Sequence, residues 1–345
     1  MRIVRAARPG TGSRRPPKRS RHYRRLILAM TLWLPLLQAD AAPYCSTSSS
    51  PSINFGAVPA SGYQDAQTAV VLNCNGGVST LLTPAIFRVC LFIGTGTSGA
   101  MAPRLMSNGN GDFMRYDLYA DAYRSQLIGP QSSGYPLYSL TFRLAPRENL
   151  SFRIPIHARV HAGQNLPGRF PYSDMPYNSF IRYSYGYIHT PTESDCRERY
   201  PGSLGGAGDI SFNWSGVQAT VTRSCRISTL SQMNFGATTA FEGKREQTAS
   251  LQLKCTRDVA WQVSLDEGMH AQSGGRFMAS ADARLGYELY SDASRSSRWG
   301  NIQSSAVSGV GNGEMQGLTV YGQVPAQPGA LPGNYQDTIT VTLTY

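Results

Sequence analysis

Three stretches carry residue types that could do chemistry. Gly94–Gly99 reads GTGTSG, the G-x-G-x-x-G spelling of a phosphate-cradling turn. Such a turn holds phosphate where it follows a strand and opens a helix within a βαβ unit. No helical period follows Gly99, so a plain loop is expected. His157 and His161 could offer two imidazoles to a metal, but no H-E-x-x-H or C-x-x-C spelling accompanies them. Asp121 and Arg124 could exchange a proton, yet the pair recurs as Asp292 and Arg295. A turn or ion pair belonging to the fold explains two copies better than catalysis does. No nucleophile–base arrangement is evident, so neither an enzyme nor a cofactor is expected.

The recurrence is not confined to that pair. YDLYADAYRSQLIG at 116–129 aligns without a gap with YELYSDASRSSRWG at 287–300. Cys45, Asn54, Phe55 and Gly56 return as Cys225, Asn234, Phe235 and Gly236. Arg104 and Met106 return as Arg276 and Met278, and Leu166-Pro167-Gly168 returns as Leu331-Pro332-Gly333. The order is preserved, and the unit has the size of a domain. Tyr321 stands where the first copy has His157, which favours packing or surface roles for the histidines. The repeat also pairs cysteines: Cys45 with Cys74 and Cys225 with Cys255. Subtraction leaves Cys90 with Cys196. The spacings are too long for a zinc site, and disulfides suit an exported chain.

Residues 1–41 read as a signal peptide. A basic segment precedes the apolar run LILAMTLWLPLLQ and Ala39-Asp40-Ala41. Pro35 and the short run argue against a membrane span. This leader holds ten Lys or Arg and one Asp, so +9 of the chain's +11 leaves with it and about +2 remains. Nucleic-acid binding is therefore not expected.

The elements that must carry these residues are strands. SLQLKC, WQVSLDEG, LTVYGQV and DTITVTLTY alternate apolar with polar residues, and Gly and Pro punctuate them. The pattern predicts an all-β chain: two Ig-like antiparallel β-sandwiches in tandem. The first domain is expected over 42–216 and the second over 217–345.

The second half resembles the spore coat protein U domain throughout. It carries C-x8-N-F-G, a further Cys, R-x-M, Y-x-L-Y-x-D-x-x-R, W-G, V-Y-G and a terminal threonine-rich strand. The first half resembles it more loosely, with Ile128-Gly129 for W-G. The resemblance implies a subunit of archaic, Csu-type chaperone–usher pili, whose sandwich lacks its final strand and accepts one from a neighbour. Ile339, Val341 and Leu343 would line that acceptor groove. The implied partners are a periplasmic chaperone, an outer-membrane usher and the next pilin subunit. The chain would pass through the periplasm to the cell surface.

Only APY separates the expected cleavage site from Cys45, so no donor segment is expected there, and the chain should sit at the pilus tip. DISFNWSG, with Ile210, Phe212 and Trp214 alternating, should complete the first domain. Three expansions of the first domain should then crowd the pole away from the pilus. They offer Leu81 and Leu82; Tyr135, Leu137 and Tyr138; and Tyr172, Met175, Tyr177 and Phe180. Clustered apolar loops would suit attachment to biotic or abiotic surfaces and biofilm formation. The alternatives are a glycan-specific adhesin using Asp174, Tyr177 and Asn178, or a structural coat or rod protein.

Overall fold

In Gly216–Val221 the side chains of Val217, Ala219 and Val221 are buried while Gln218 and Thr220 face solvent. That period-two burial recurs along the chain, as half-buried sheets require. The computed structural model describes residues 41–78, 83–202 and 204–345. The expected leader lies outside the described residues apart from Ala41, as do Leu81 and Leu82.

The first domain comprises β1 (Tyr44–Ser46), β2 (Ser52–Val58), β3 (Gln64–Asn75), β4 (Ala85–Phe92), β5 (Arg104–Ser107), β6 (Phe113–Tyr119), β7 (Tyr138–Leu144), β8 (Asn149–Val160), β9 (Tyr172–Asp174), β10 (Ser179–Gly186), helix α1 (Glu193–Glu198), β11 (Gly206–Phe212) and β12 (Gly216–Val221). One sheet runs β1-β3-β8-β6-β5-β9-β12-β2 and the facing sheet runs β11-β10-β4-β7. The core lies between them, around Val70, Phe87, Leu118 and Ile156.

The second domain comprises β13 (Cys225–Leu230), β14 (Arg245–Cys255), β15 (Ala260–Leu265), β16 (Arg276–Ser280), β17 (Ala283–Tyr290), β18 (Val307–Val310), β19 (Met315–Val324) and β20 (Val341–Thr344). Its sheets run β13-β14-β19-β17-β16 and β18-β15-β20, with a separate core around Trp261, Leu289 and Trp299.

Sequence alone divides the domains at Gly216. In the structure Val217–Val221 belong to β12, which pairs with β2 and β9 of the first domain. The division therefore falls in the link Thr222–Ser224. The alternation of VQATV suits a strand of either domain, and only the pairing decides which one owns it.

The repeated residues make repeated structure. Arg104 is buried and donates to the carbonyls of Gly94 (2.6 Å), Ile93 and Ile128 (each 3.2 Å). Arg276 does the same with the carbonyls of Asp266, Leu265 and Trp299. The aspartate–arginine motif is a turn: Asp121 accepts the amides of Ser125 and Gln126, and Asp292 accepts those of Ser296 and Ser297. Arg124 and Arg295 both take left-handed backbone at φ 59° and 55°. His161 bonds the Asp117 carboxylate at 2.8 Å. Disulfides join the directly opposed Cys45 and Cys74, and likewise Cys225 and Cys255; a third ties Cys196 of α1 to Cys90 of β4.

These carboxylates set an acid response. The hydrogen bond from Arg159 holds Asp65 below the usual carboxylate value, and Ser294 with the amides of Ser296 and Ser297 does so for Asp292. Both bind protons less readily folded than unfolded. Their contribution is therefore complete above the unfolded value of about 3.9 and is lost progressively as pH falls from there through the lower folded values. Asp117, raised by burial, works in the opposite sense. The urea midpoint should fall on acidification below about pH 4, and Asp292→Asn should flatten that fall. A midpoint unchanged between neutral pH and the acid end of this range would count against the assignment.

Candidate functional site

One difference between the two domains makes a site. In the first domain β12 lies between β2 and β9. It runs parallel to β2, with Val217 opposite Ile53, and antiparallel to β9, with Val217 opposite Asp174. Just before it, β11 lies along β10, with Ile210 opposite Ile181. Together they bury Phe212, Trp214, Val217, Ala219 and Val221 against Ile53, Phe55 and Tyr172.

In the second domain the counterpart of β2 is the segment around Asn234-Phe235-Gly236. Its local turn is retained: Asn234 Oδ1 accepts the Gly236 amide at 2.8 Å, as Asn54 Oδ1 accepts that of Gly56. Beyond Ser231, which still bonds Ser250, residues 232–238 nonetheless form no strand, and among the described residues no strand pairs with them. β20 pairs with β15 on one side, and among the described residues no strand lies on its other side. Between them runs an open groove of about 570 Å³. Leu251, Leu289 and Val320 floor it; Met233, Phe235, Ile339 and Val341 wall it. Met233, Phe235, Ile339, Val341 and Leu343 are half-buried, whereas Ile53 and Phe55 of the closed domain are 1% and 4% exposed.

The groove's polar wall is preset. Tyr287 donates to Asp337 Oδ2 at 2.6 Å, matching the Tyr116–Asp174 bond at 2.6 Å. Burial pushes both tyrosines up, so each stays a donor. Asp337 Oδ1 also meets His270 Nδ1 at 2.9 Å. An apolar trough beside a strand edge that is unpaired among the described residues can take up an extended chain.

A second surface lies on the first domain. Strand registers set Tyr44 opposite Asn75, Asn75 opposite Asn149, Ala85 opposite Leu144 and Tyr185 opposite Gly206. The last residues of β3, β7 and β10 and the first residues of β4, β8 and β11 therefore lie at one end of the sandwich. The second domain is joined at the other end, where β12 finishes opposite Val58. At the free end Tyr44, Ile188, Tyr200 and Leu204 are 50%, 60%, 64% and 67% exposed. Sequence reasoning missed these four. They are scattered over three short stretches without periodicity.

The residues it named instead are scattered. Tyr172, in β9 opposite Ala219 of β12, is fully buried, and burial pushes its hydroxyl up to about 12. Its repeat partner Tyr335, two residues before Asp337 as Tyr172 is before Asp174, was the available signal of a core position. The stretch around Phe180 is not a loop: Ser179–Gly186 form β10 between β4 and β11. Phe180 and Leu137 are half-buried around the Cys90–Cys196 disulfide, and Tyr138 packs on the main core. Tyr135 is half-buried, its carbonyl bonded to Arg197 at 2.7 Å. Met175 is half-buried, and Tyr177 is exposed beside the Gly94–Gly99 loop, where its amide donates to Thr95. The expansions at Tyr135–Tyr138 and Met175–Phe180 thus do not join the distal end.

That loop needs its glycines for packing. A Cβ on Gly94 would stand 1.6 Å from the Tyr177 carbonyl oxygen, and one on Gly96 would stand 1.9 Å from the Asp174 carboxylate. Asp174 is itself engaged, by Tyr116 and by the Thr97 amide at 2.6 Å, so it does not form an open polar pocket with Asn178. Among the described residues, no group of three His, Cys, Asp or Glu could hold a metal, and no helix is long and apolar enough to cross a membrane.

The sequence profile of the Spore Coat Protein U domain matches residues 32–175 and 212–342. The two matches begin equally far ahead of Cys45 and Cys225, so the second starts within the segment that closes the first domain. Protein U of Myxococcus xanthus is 32% identical over 107 residues, covering 28% of this chain and 59% of that protein. The match thus spans less than two thirds of that relative. Among solved structures, the CsuC–CsuE chaperone–tip adhesion subunit pre-assembly complex of Acinetobacter baumannii aligns over 88% of this chain and all of that one, at 21% identity and TM-score 0.49. The CupB6 tip adhesin of Pseudomonas aeruginosa aligns over 88% and 95% at 9% identity and TM-score 0.32.

Proposed function

Because this chain belongs to the Spore Coat Protein U domain family, we propose that it is the tip adhesin of a chaperone–usher pilus. The observation that carries the reading is the contrast between the domains. The residues just ahead of Cys225 are β11 and β12, and they complete the first domain within the same chain. The second domain keeps an open groove. Its own leading segment is thus already committed, and the chain presents one acceptor site facing away from the first domain. A periplasmic chaperone fills the groove during export, and the next pilin subunit replaces it at the usher, by addition of a strand to the free edge.

The first domain is then the distal, working part. Tyr44, Ile188, Tyr200 and Leu204 make contact with biotic or abiotic surfaces and support biofilm formation. Burial stabilises by about 25 cal/mol per Å² of apolar surface, and many tips per cell multiply a weak contact. Tyr44→Ser, Ile188→Asp, Tyr200→Ser and Leu204→Asp together should abolish attachment of piliated cells to polystyrene while piliation is unchanged. Attachment by the unaltered protein should persist at ~1 M salt, where the Debye length is about 3 Å. Normal adhesion by the fourfold variant with normal piliation would move the adhesive surface elsewhere.

A further inference from the structure

The loop Leu166-Pro167-Gly168 and its copy Leu331-Pro332-Gly333 live in different surroundings. In the first, Pro167 is buried and bridges Arg257 of the second domain, and the Gly168 amide donates to the Arg257 carbonyl at 3.1 Å. A Cβ on Gly168 would meet Arg223, Thr256 and Val259 at 3.1–3.6 Å. Asn165 donates to the Asn312 carbonyl at 2.9 Å. From the β5–β6 hairpin, Asp112 pairs with the Arg257 guanidinium. In the copy, Leu331 is 64% exposed and Pro332 is exposed. The nearest neighbours of Gly333 are Ser280 and Tyr335 of its own domain. At the tip of the β16–β17 hairpin, the counterpart of β5–β6, stands an exposed Asp282.

The first copy is covered for a geometric reason. β12 leaves its groove at Val221, and the Thr222 amide still bonds Val58 at 2.8 Å. Only Thr222–Ser224 separate that exit from Cys225. A domain so closely tethered to a groove-filling strand must lie against the end from which the strand emerges. The second groove opens toward the equivalent end of the second domain.

We propose that Leu331–Gly333 and Asp282 form a docking face for the domain that follows the strand entering the second groove, repeating the junction inside this chain. The proposal rests on the reading of the second domain as a strand acceptor. The partner is a further domain of the same family. Its turn after the second cysteine presents an open carbonyl to the Gly333 amide and a cation to Asp282, as Arg257 serves Gly168 and Asp112 here.

The test extends the full chain after Tyr345 with a flexible linker as long as 187–205, a second copy of residues 206–345 and a closing 206–221, so that each groove is offered a strand. Strand filling is read as a higher melting temperature of the original second domain. Docking is read as disulfide formation between Asp282→Cys of the original domain and Arg257→Cys of the appended copy. We expect a crosslinking rate within about threefold of that between Asp112→Cys and Arg257→Cys in the unextended chain. Leu331→Asp should slow crosslinking roughly tenfold, about 1.4 kcal/mol, without changing the melting gain. A melting gain with crosslinking no faster than from Gln303→Cys, or insensitive to Leu331→Asp, overturns the docking face and leaves strand acceptance standing. Absence of the melting gain overturns strand acceptance, and the docking face with it.

Discussion

A peptide spanning residues 206–221, added in excess to the intact chain, should raise the melting temperature of the second domain by roughly 10 °C. The peptide is β11 and β12, the strands that close the first domain. It brings Phe212, Trp214, Val217, Ala219 and Val221 at the spacing that fills the equivalent trough. Full burial of a large apolar side chain is worth ~1.5–3 kcal/mol, and ordering the strand costs ~1–2 kcal/mol per residue before its backbone bonds form. The surplus is small against either sum. A net ~2 kcal/mol corresponds to about 10 °C for a domain of this size. Replacing Val217 and Val221 of the peptide by Asp should erase the gain, since a carboxylate in that trough finds no partner. Calorimetry of the two peptides checks both statements; equal effects would mean that the groove does not recognise an alternating strand.

Arg104→Met and Arg276→Met should each lower stability by about 3–5 kcal/mol in equilibrium urea unfolding, the cost expected of removing one side of a buried charged network. Each guanidinium adds side-chain donors to two loops that a single backbone bond also joins, Ile93 to Gly129 in one domain and Leu265 to Gly300 in the other: it ties the carbonyls of Gly94 and Ile93 to that of Ile128, and those of Asp266 and Leu265 to that of Trp299. Methionine retains the volume and leaves those carbonyls unpaired, each at ~1–3 kcal/mol. Arg276 also pairs with Glu288, which retains Arg298 at 2.6 Å. Lys244→Ala, at an exposed ion pair, should change stability by less than ~1 kcal/mol. A loss below ~1 kcal/mol for both arginine variants would assign their role to packing alone.

The strands were legible because burial on one face writes itself as alternation, and the duplication was legible because residues such as Arg104 and Asp121 do the same structural work twice. Of the alternating residues Ile339, Val341 and Leu343, the first two line the trough. Ownership of β12 was not, because VQATV alternates correctly for either neighbour. The residues named for a contact surface scatter for a physical reason. Tyrosine serves both cores and contacts, and the tyrosine-rich stretch after Phe170 is largely β9 and β10, with Tyr172 and Tyr185 buried. Ile188, Tyr200 and Leu204 gain their meaning from where β10 ends and β11 begins, which no local pattern encodes.

The placement of β12 also decides how the molecule carries load. A pull between the distal end and whatever holds the second domain passes through Thr222–Ser224. On one side of that link the tension enters β12 along its axis. The ladder bonds to β2 and β9 stand across that axis, so they are sheared together instead of being unzipped one after another. On the other side Cys225 is the first residue of β13, and its disulfide to Cys255 transfers the force to β14 at once. The thinnest part of the chain is thereby flanked by a sheared strand and a covalent crosslink, so that tension is spread over both sandwiches before it can peel either one apart.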